Sequence, residues 1–159
     1  MQASFTAEEH YRRGRDLLEQ GRHADALAQF RTAHNLDRAN PRYRSFFGLS
    51  LALVERRFDR ALELCRSAAK EEFFNPELYH NLGRVHLAFG FKAEAIRYLR
   101  RGLMIDPGNG AMTRDLEGLG RRSRPVLTFL PRRHPMNRLL GRWRRLWGER
   151  EGEVASSSA

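Results

Sequence analysis

The feature that most constrains this sequence is an internal repeat with a period of about 34 residues. Aligned on recurring small residues, the chain divides into three units at residues 7–40, 41–75 and 76–109. A unit of this length buries only part of its apolar face by itself, so neighbouring units must stack on one another. The repeat therefore predicts a stack that needs a cap at its open end, and residues 110–120 supply one because their apolar residues recur at helical spacing.

Small residues occupy equivalent positions in the three units. Each unit has a glycine in the middle of its first helical stretch and an alanine in its second, namely Gly14, Gly48 and Gly83, and Ala26, Ala61 and Ala95. A glycine inside a helix costs about 1 kcal/mol relative to alanine. Its repetition predicts that the two helices of each unit approach one another closely.

Capping residues mark where the first helix of each unit begins. Thr6 and Glu9 have the spacing of a capping box. Asn40-Pro41 and Asn75-Pro76 each place an asparagine cap before a proline at the first helical position. These residues predict helix starts at the beginning of all three units.

The turn between the two helices differs in the second unit. Gly21 and Gly90 follow the first helix of the outer units, where a left-handed turn favours glycine. The second unit has Glu55 at this place and one extra residue before Phe58. We therefore predict a longer turn in this unit.

The third unit resembles the tetratricopeptide repeat from end to end. Its sequence reads Glu77-Leu78-Tyr79-His80-Asn81-Leu82-Gly83, then Gly90, then Glu94-Ala95-Ile96-Arg97-Tyr98-Leu99, and closes on Ile105-Asp106-Pro107. The resemblance implies an all-α, right-handed superhelix of three helix-turn-helix units plus a capping helix, spanning residues 7–120. It also implies a non-enzymatic adaptor or scaffold that binds a protein or peptide partner.

In this family the first helix of each unit lines a concave groove in which partners bind. Carried over, the resemblance implies a groove with an apolar floor bordered by basic and aromatic residues. The predicted partner-binding residues are Tyr11, Arg15, Arg42, Leu49, Leu53, His80, Arg84 and Leu87. The Lys and Asn residues with which some members grip a C-terminal carboxylate are replaced, for example by Tyr11 and Arg15 in the first unit. A chaperone-tail ligand is therefore not implied.

Residue types that carry catalysis are present without the spacing that catalysis needs. No pair among the six histidines is spaced as metal ligands. His86 stands where the family packs an aromatic residue, and Cys65 stands at a core position, so we interpret both as core residues. The sequence predicts no enzyme, no metal site, no cofactor and no small-molecule substrate.

The composition changes abruptly at Arg121. Residues 121–148 contain nine arginines and no acidic residue, and they combine prolines with a short amphipathic helix predicted near residues 137–147. The apolar stripe of this helix and one arginine are predicted to dock on another surface. These residues are Leu139, Arg142, Trp143, Leu146 and Trp147. Residues 149–159 are predicted to be disordered. Part of this tail also resembles the tails of bacterial proteins with tetratricopeptide repeats.

Three interpretations of the basic segment remain open. In the first, its apolar stripe folds back onto the repeats. In the second, the stripe docks on a partner protein or an anionic membrane. In the third, the arginines bind the phosphates of a nucleic acid. The N-terminus lacks the apolar core of a secretory signal, and Cys65 is the single cysteine. We therefore expect a cytoplasmic protein, with peripheral attachment at the inner face of the membrane as one option.

Overall fold

A computed structural model describes residues 5–120 of the chain. This part contains seven α-helices and one π-helical segment, and its only regular structure is helical. The helices are α1 (Ala7–Glu19), α2 (His23–Leu36), α3 (Pro41–Ser50), α4 (Phe58–Glu71), α5 (Pro76–Ala88), α6 (Lys92–Ile105) and α7 (Gly110–Gly120), with the π-helical segment at Leu51–Glu55.

The helices pack as three consecutive pairs. The most extensive contacts are α1 with α2, α3 with α4, and α5 with α6. Each pair continues onto the next through α2 with α3 and α4 with α5, and α7 packs on α6. The predicted all-α class, with three helix-turn-helix units and a capping helix, is confirmed.

The mid-helix glycines lie where two helices nearly touch. A Cβ atom on Gly14 would come within 2.7 Å of the Phe30 ring. A Cβ atom on Gly83 would lie 2.9 Å from Leu99 and 3.6 Å from the Ala95 carbonyl oxygen. The distances to Phe30 and to Leu99 are too short for a contact between carbon atoms. The predicted close approach of paired helices is therefore confirmed.

The predicted caps are present at the start of α1, α3 and α5. Thr6 and Glu9 form both halves of the capping box. The Asn40 side chain accepts hydrogen bonds from the backbone N–H groups of Arg42 and Tyr43, and the Asn75 side chain accepts one from that of Glu77. Because these side chains satisfy amides that lack helical partners, they fix where each unit begins.

The second unit absorbs its extra residue inside the helix instead of in the turn. After α3, the chain continues as a π-helical turn over Leu51–Glu55, and Arg56 then adopts a left-handed conformation with φ 55°. Gly21 and Gly90 have φ 76° and 79° at the equivalent turns. The prediction of a longer turn is therefore wrong, because a π-helical turn accommodates one more residue than an α-helical turn. Arg56, and not Glu55, takes the glycine position.

Aromatic and small side chains fill the core between the units. Cys65 is fully buried, and its thiol donates to the Ser45 carbonyl oxygen at 3.3 Å. Burial raises the pKa of Cys65 to about 12, so it remains a thiol, as its core interpretation requires. His86 is also buried, stacked on the Tyr98 ring. Met112 of α7 is fully buried next to α6 and closes this end of the core.

Candidate functional site

A concave pocket of about 550 Å³ opens between the first helices of the units and α7. Its wall includes residues of α1, α3 and α5, which are the helices that the resemblance assigns to the groove. Its lining residues are Arg15, Leu18, Glu19, Phe46, Pro76, Glu77, His80, Asn81, Arg84, Asn109, Ala111 and Arg114. The wall thus combines three arginines with two glutamates.

Glu77 links the three units at one side of this pocket. Its carboxylate pairs with Arg15 Nη1 at 3.0 Å and with Arg42 Nε at 3.4 Å, and it accepts a hydrogen bond from the Tyr11 hydroxyl at 3.4 Å. Arg42 also donates to the Tyr11 hydroxyl at 3.1 Å. Burial raises the pKa of Tyr11, which keeps this hydroxyl protonated. Two predicted binding arginines are therefore already engaged by an internal acid.

Arg84 has a different environment from Arg15 and Arg42. Its side chain is half-buried in the pocket wall, and it makes no hydrogen bond or ion pair with any residue between 5 and 120. Burial lowers the pKa of Arg84 from its ordinary value, and the Asp115 carboxylate offsets part of this effect. A guanidinium stays charged even so. Partial burial of a charge without a partner is unfavourable, so an anion bound here would be stabilised.

The capping helix contributes charged groups to the pocket. Asp115 of α7 lies 2.7 Å from His80 Nε2, and this hydrogen bond holds the pKa of Asp115 below its ordinary value. Arg114 lines the same wall. Neither residue was predicted from the sequence, because the spacing of residues 110–120 indicates only a cap. The apolar spacing of residues 110–120 gave no indication that their polar side chains turn toward the groove.

The predicted groove residues separate into three groups. Arg15, His80 and Arg84 line the pocket together, and Arg42 lies at the adjoining Glu77 cluster. Leu53 and Leu87 are half-buried outside the pocket lining. Tyr11 and Leu49 need a correction, because they are 1% and 0% exposed and lie in the core. The Tyr11 ring is covered by the Arg42 guanidinium 5.0 Å away, and Leu49 belongs to α3, which packs against α2, α4 and α5.

Other predicted features can be placed only in part. The tail residues Leu139, Arg142, Trp143, Leu146 and Trp147 lie outside the described residues. Within residues 5–120, no group of three or more His, Cys, Asp or Glu side chains is arranged to hold a metal ion. In the same region, every helix is too short or too polar to cross a bilayer.

Sequence and structure comparisons agree on the tetratricopeptide-repeat fold. The sequence profile of the family described as Tetratricopeptide repeat matches residues 7–40. The first TPR of Spaghetti (RPAP3) superposes with a TM-score of 0.56 at 20% identity, covering 72% of this chain and 90% of that one. Residues 7–40 therefore match one tetratricopeptide repeat (TPR), and the described part of the chain has the TPR fold. No curated protein sequence is significantly similar to the chain.

Two further structures share this TPR fold. The Sgt2 TPR domain from Aspergillus fumigatus has a TM-score of 0.58 at 18% identity and covers 72% of this chain and 77% of its own. The second TPR domain of human RPAP3 has a TM-score of 0.55 at 18% identity and covers 73% and 96%, respectively. Because these identities are low, the similarities define the fold of the TPR domain and leave its ligand to be inferred from its own groove.

Proposed function

We propose that the chain is a non-enzymatic interaction module whose TPR domain binds an acidic peptide segment of a partner protein. The peptide lies in the concave pocket between α1, α5 and α7, and its carboxylate contacts Arg84. The observation that carries this proposal is the half-buried Arg84 guanidinium, which has no partner among residues 5–120. A cytoplasmic location is part of the same proposal.

The charges of the pocket favour an anionic ligand. Glu77 is already shared by Arg15 and Arg42, so it is not available to Arg84. Arg114 also makes no ion pair within the described part of the chain. Hydrogen bonds between a guanidinium and a carboxylate are stronger than those between neutral groups. A ligand carboxylate at Arg84 would therefore add to the partial compensation that Asp115 already provides.

The solved structures provide parallel support for a peptide ligand. The first TPR of Spaghetti (RPAP3) is bound to the HSP90 peptide SRMEEVD, and the second TPR domain of human RPAP3 is in complex with the HSP70 peptide SGPTIEEVD. Both peptides are acidic. Tyr11 and Arg15 replace the Lys and Asn expected of a carboxylate clamp in the first unit, so we propose an acidic segment without assigning it to a chaperone.

A substitution at Arg84 tests this proposal. A partner captured with the full chain is mapped to its shortest binding peptide, and the dissociation constant is measured for the wild type and for Arg84→Gln. We expect at least about tenfold weaker binding, because a hydrogen bond to a charged group contributes about 1.5–3 kcal/mol. The matched control is Arg38→Gln, which removes an exposed charge between α2 and α3. Equal affinity of the wild type and Arg84→Gln would place the ligand elsewhere.

The basic segment supports a second candidate function. Its nine arginines without an acidic residue favour binding to nucleic acid or an anionic membrane through residues 121–148. Comparison of the full chain with a chain ending at Gly120 tests this. If the segment binds duplex DNA, affinity of the full chain should fall with salt at a logarithmic slope of about −0.9 per neutralised phosphate. Equal binding by both chains would exclude the segment as the site.

A further inference from the structure

We propose that the TPR domain has a second interaction surface, on α4 and α6, that associates with an anionic lipid bilayer. Two shallow depressions adjoin on this side of the molecule and share Tyr98 and Arg101. We call their cations and exposed apolar residues, with the neighbouring Phe74, the α4–α6 face. Its residues are Arg66, Lys70, Phe73, Phe74, Arg97, Arg100, Arg101 and Met104.

The cations of this face lack acidic partners. Neither depression has an acidic residue in its lining. None of the five cations forms an ion pair with a residue between 5 and 120. The acidic residues beside them on α4 are engaged elsewhere, since Glu63 pairs with Arg60 and Glu71 with Arg44. Glu94 alone lies nearby on α6, one turn before Arg97, without pairing with it.

The periodicity of α6 places its cations side by side. Arg97, Arg100, Arg101 and Met104 have the spacing i, i+3, i+4 and i+7, which is one face of a helix. On α4, Arg66 and Lys70 are likewise four residues apart. The positive charge is therefore spread over two neighbouring helices, as a flat anionic surface requires.

The first unit indicates that the arginine-rich composition of the chain does not by itself explain the unpaired cations on α6. At the positions of α2 equivalent to those of the basic residues on α6, the chain has Ala28, Arg31 and Thr32. Arg31 is paired with Glu55, and the other two are uncharged. Unpaired positive charge on this side of the stack is thus concentrated in the second and third units.

Exposed apolar side chains distinguish a bilayer from other anionic partners. Phe74 is 73% exposed and Met104 is 83% exposed. The Phe73 and Phe74 rings lie 4.3 Å apart in the turn between α4 and α5. Large apolar side chains beside cations are what interfacial proteins insert at the boundary between headgroups and acyl chains. A nucleic acid would use the cations and the aromatic rings but offers no apolar phase to Met104.

Vesicle binding of the full chain tests the proposal. Binding to phosphatidylcholine vesicles with and without phosphatidylserine is measured by co-sedimentation for the wild type and three variants. Arg97→Glu/Arg101→Glu should weaken binding to phosphatidylserine vesicles at least tenfold, because each cation near an anionic bilayer contributes about fivefold. Phe74→Ser/Met104→Ser should weaken it at least about fivefold, because two large apolar side chains lose even a partial burial in the bilayer. All variants retain residues 121–159, so the contribution of the tail is constant.

The control has the same change in net charge at another place. Arg13→Glu/Arg38→Glu alters two exposed arginines of the first unit and should bind phosphatidylserine vesicles like the wild type. Circular dichroism melting establishes that each variant is folded. The proposal is overturned if no protein binds the vesicles, or if Arg97→Glu/Arg101→Glu binds them as well as the control does. It is equally overturned if this variant loses affinity for a DNA duplex or a polyglutamate peptide but not for vesicles.

Discussion

His86 is a buried polar residue that should limit the stability of the TPR domain. It is 3% exposed, its ring stacks on Tyr98 with centroids 5.2 Å apart, and the Phe58 ring meets its edge at 5.6 Å. Neither ring nitrogen has a hydrogen-bond partner among the described residues. Burial, with help from the charge of Arg66, lowers the pKa of His86, so the folded protein holds it neutral.

Replacement of His86 by Phe tests the cost of this arrangement. Phe retains an aromatic ring against Tyr98 and removes two unpaired nitrogens, whose burial costs about 1–3 kcal/mol. A larger ring also introduces some overpacking, which offsets about 1 kcal/mol of this gain. We therefore expect His86→Phe to raise the free energy of unfolding by about 1 kcal/mol at a slightly alkaline pH.

The stability advantage of His86→Phe over the wild type should grow as the solution becomes acidic. The pKa of His86 is below its ordinary value of 6.5 in the folded state, so the unfolded chain binds the proton first as the pH falls. The stabilisation from a neutral His86 is complete above 6.5 and is lost as the pH falls from 6.5 through the folded pKa. While the folded state remains unprotonated, the loss is about 1.4 kcal/mol per pH unit. The Phe variant lacks this loss.

Urea denaturation followed by circular dichroism at several pH values measures the effect. His34, whose pKa is also lowered by burial, is present in both proteins, so its contribution cancels in the difference. His23→Gln at the exposed start of α2 is the matched control and should behave like the wild type. A stability difference between His86→Phe and the wild type that stays constant on acidification would refute the reasoning. A variant that is less stable at every pH would refute it as well.

Two further predictions concern the helix contacts and the tail. Ala95 is fully buried and its carbonyl oxygen faces Gly83, so Ala95→Leu should overpack the α5–α6 contact and cost about 1–3 kcal/mol; an unchanged denaturation midpoint would count against the repeat register. Trp143 and Trp147 are the only tryptophans, so their fluorescence reports on the tail. We expect Trp143 to be partly shielded from acrylamide, with a cost of about 3 kcal/mol or more for Trp143→Ala if the stripe packs on the repeats; free access of the quencher to both rings would contradict this.

Features that depend on neighbouring residues or on one steric contact could be predicted from the sequence. The Thr6–Glu9 box and the Asn-Pro caps act within a single helical turn, so their residues are sufficient to place the helix starts. Gly14 and Gly83 were equally informative, because a glycine repeated at a helix centre has few explanations other than close packing. The three units and their helices follow from these short-range features.

The position of the extra residue in the second unit could not be predicted in this way. One additional residue can lengthen a turn or widen a helix, and both alternatives have the same sequence. Buried Leu49 fixes the register before the π-helical turn, and buried Ala61 fixes it afterwards. The intervening chain therefore has to take up the residue as a π-helical turn and place Arg56 in the left-handed conformation.

Which residues of the first helices are exposed could not be predicted from the sequence. The family pattern gives the direction in which a position points, whereas exposure depends on what neighbouring helices place above it. The Arg42 guanidinium covers the Tyr11 ring, and Glu77 from the third unit forms an ion pair with Arg15. Arg84 differs because no described acidic residue forms an ion pair with it and Asp115 acts on it only from a greater distance. No local sequence pattern indicates this difference.

The capping helix joins the stability of the stack to the chemistry of the pocket. Its apolar side presents Met112 to the core, as the spacing of residues 110–120 predicted. Its polar side presents Arg114 to the pocket and Asp115 to His80. Removal of α7 would expose the end of the core and also release His80 from its acidic partner. A chain ending at Asn109 would therefore retain all three repeat units and still lack one wall of the pocket proposed to bind the peptide.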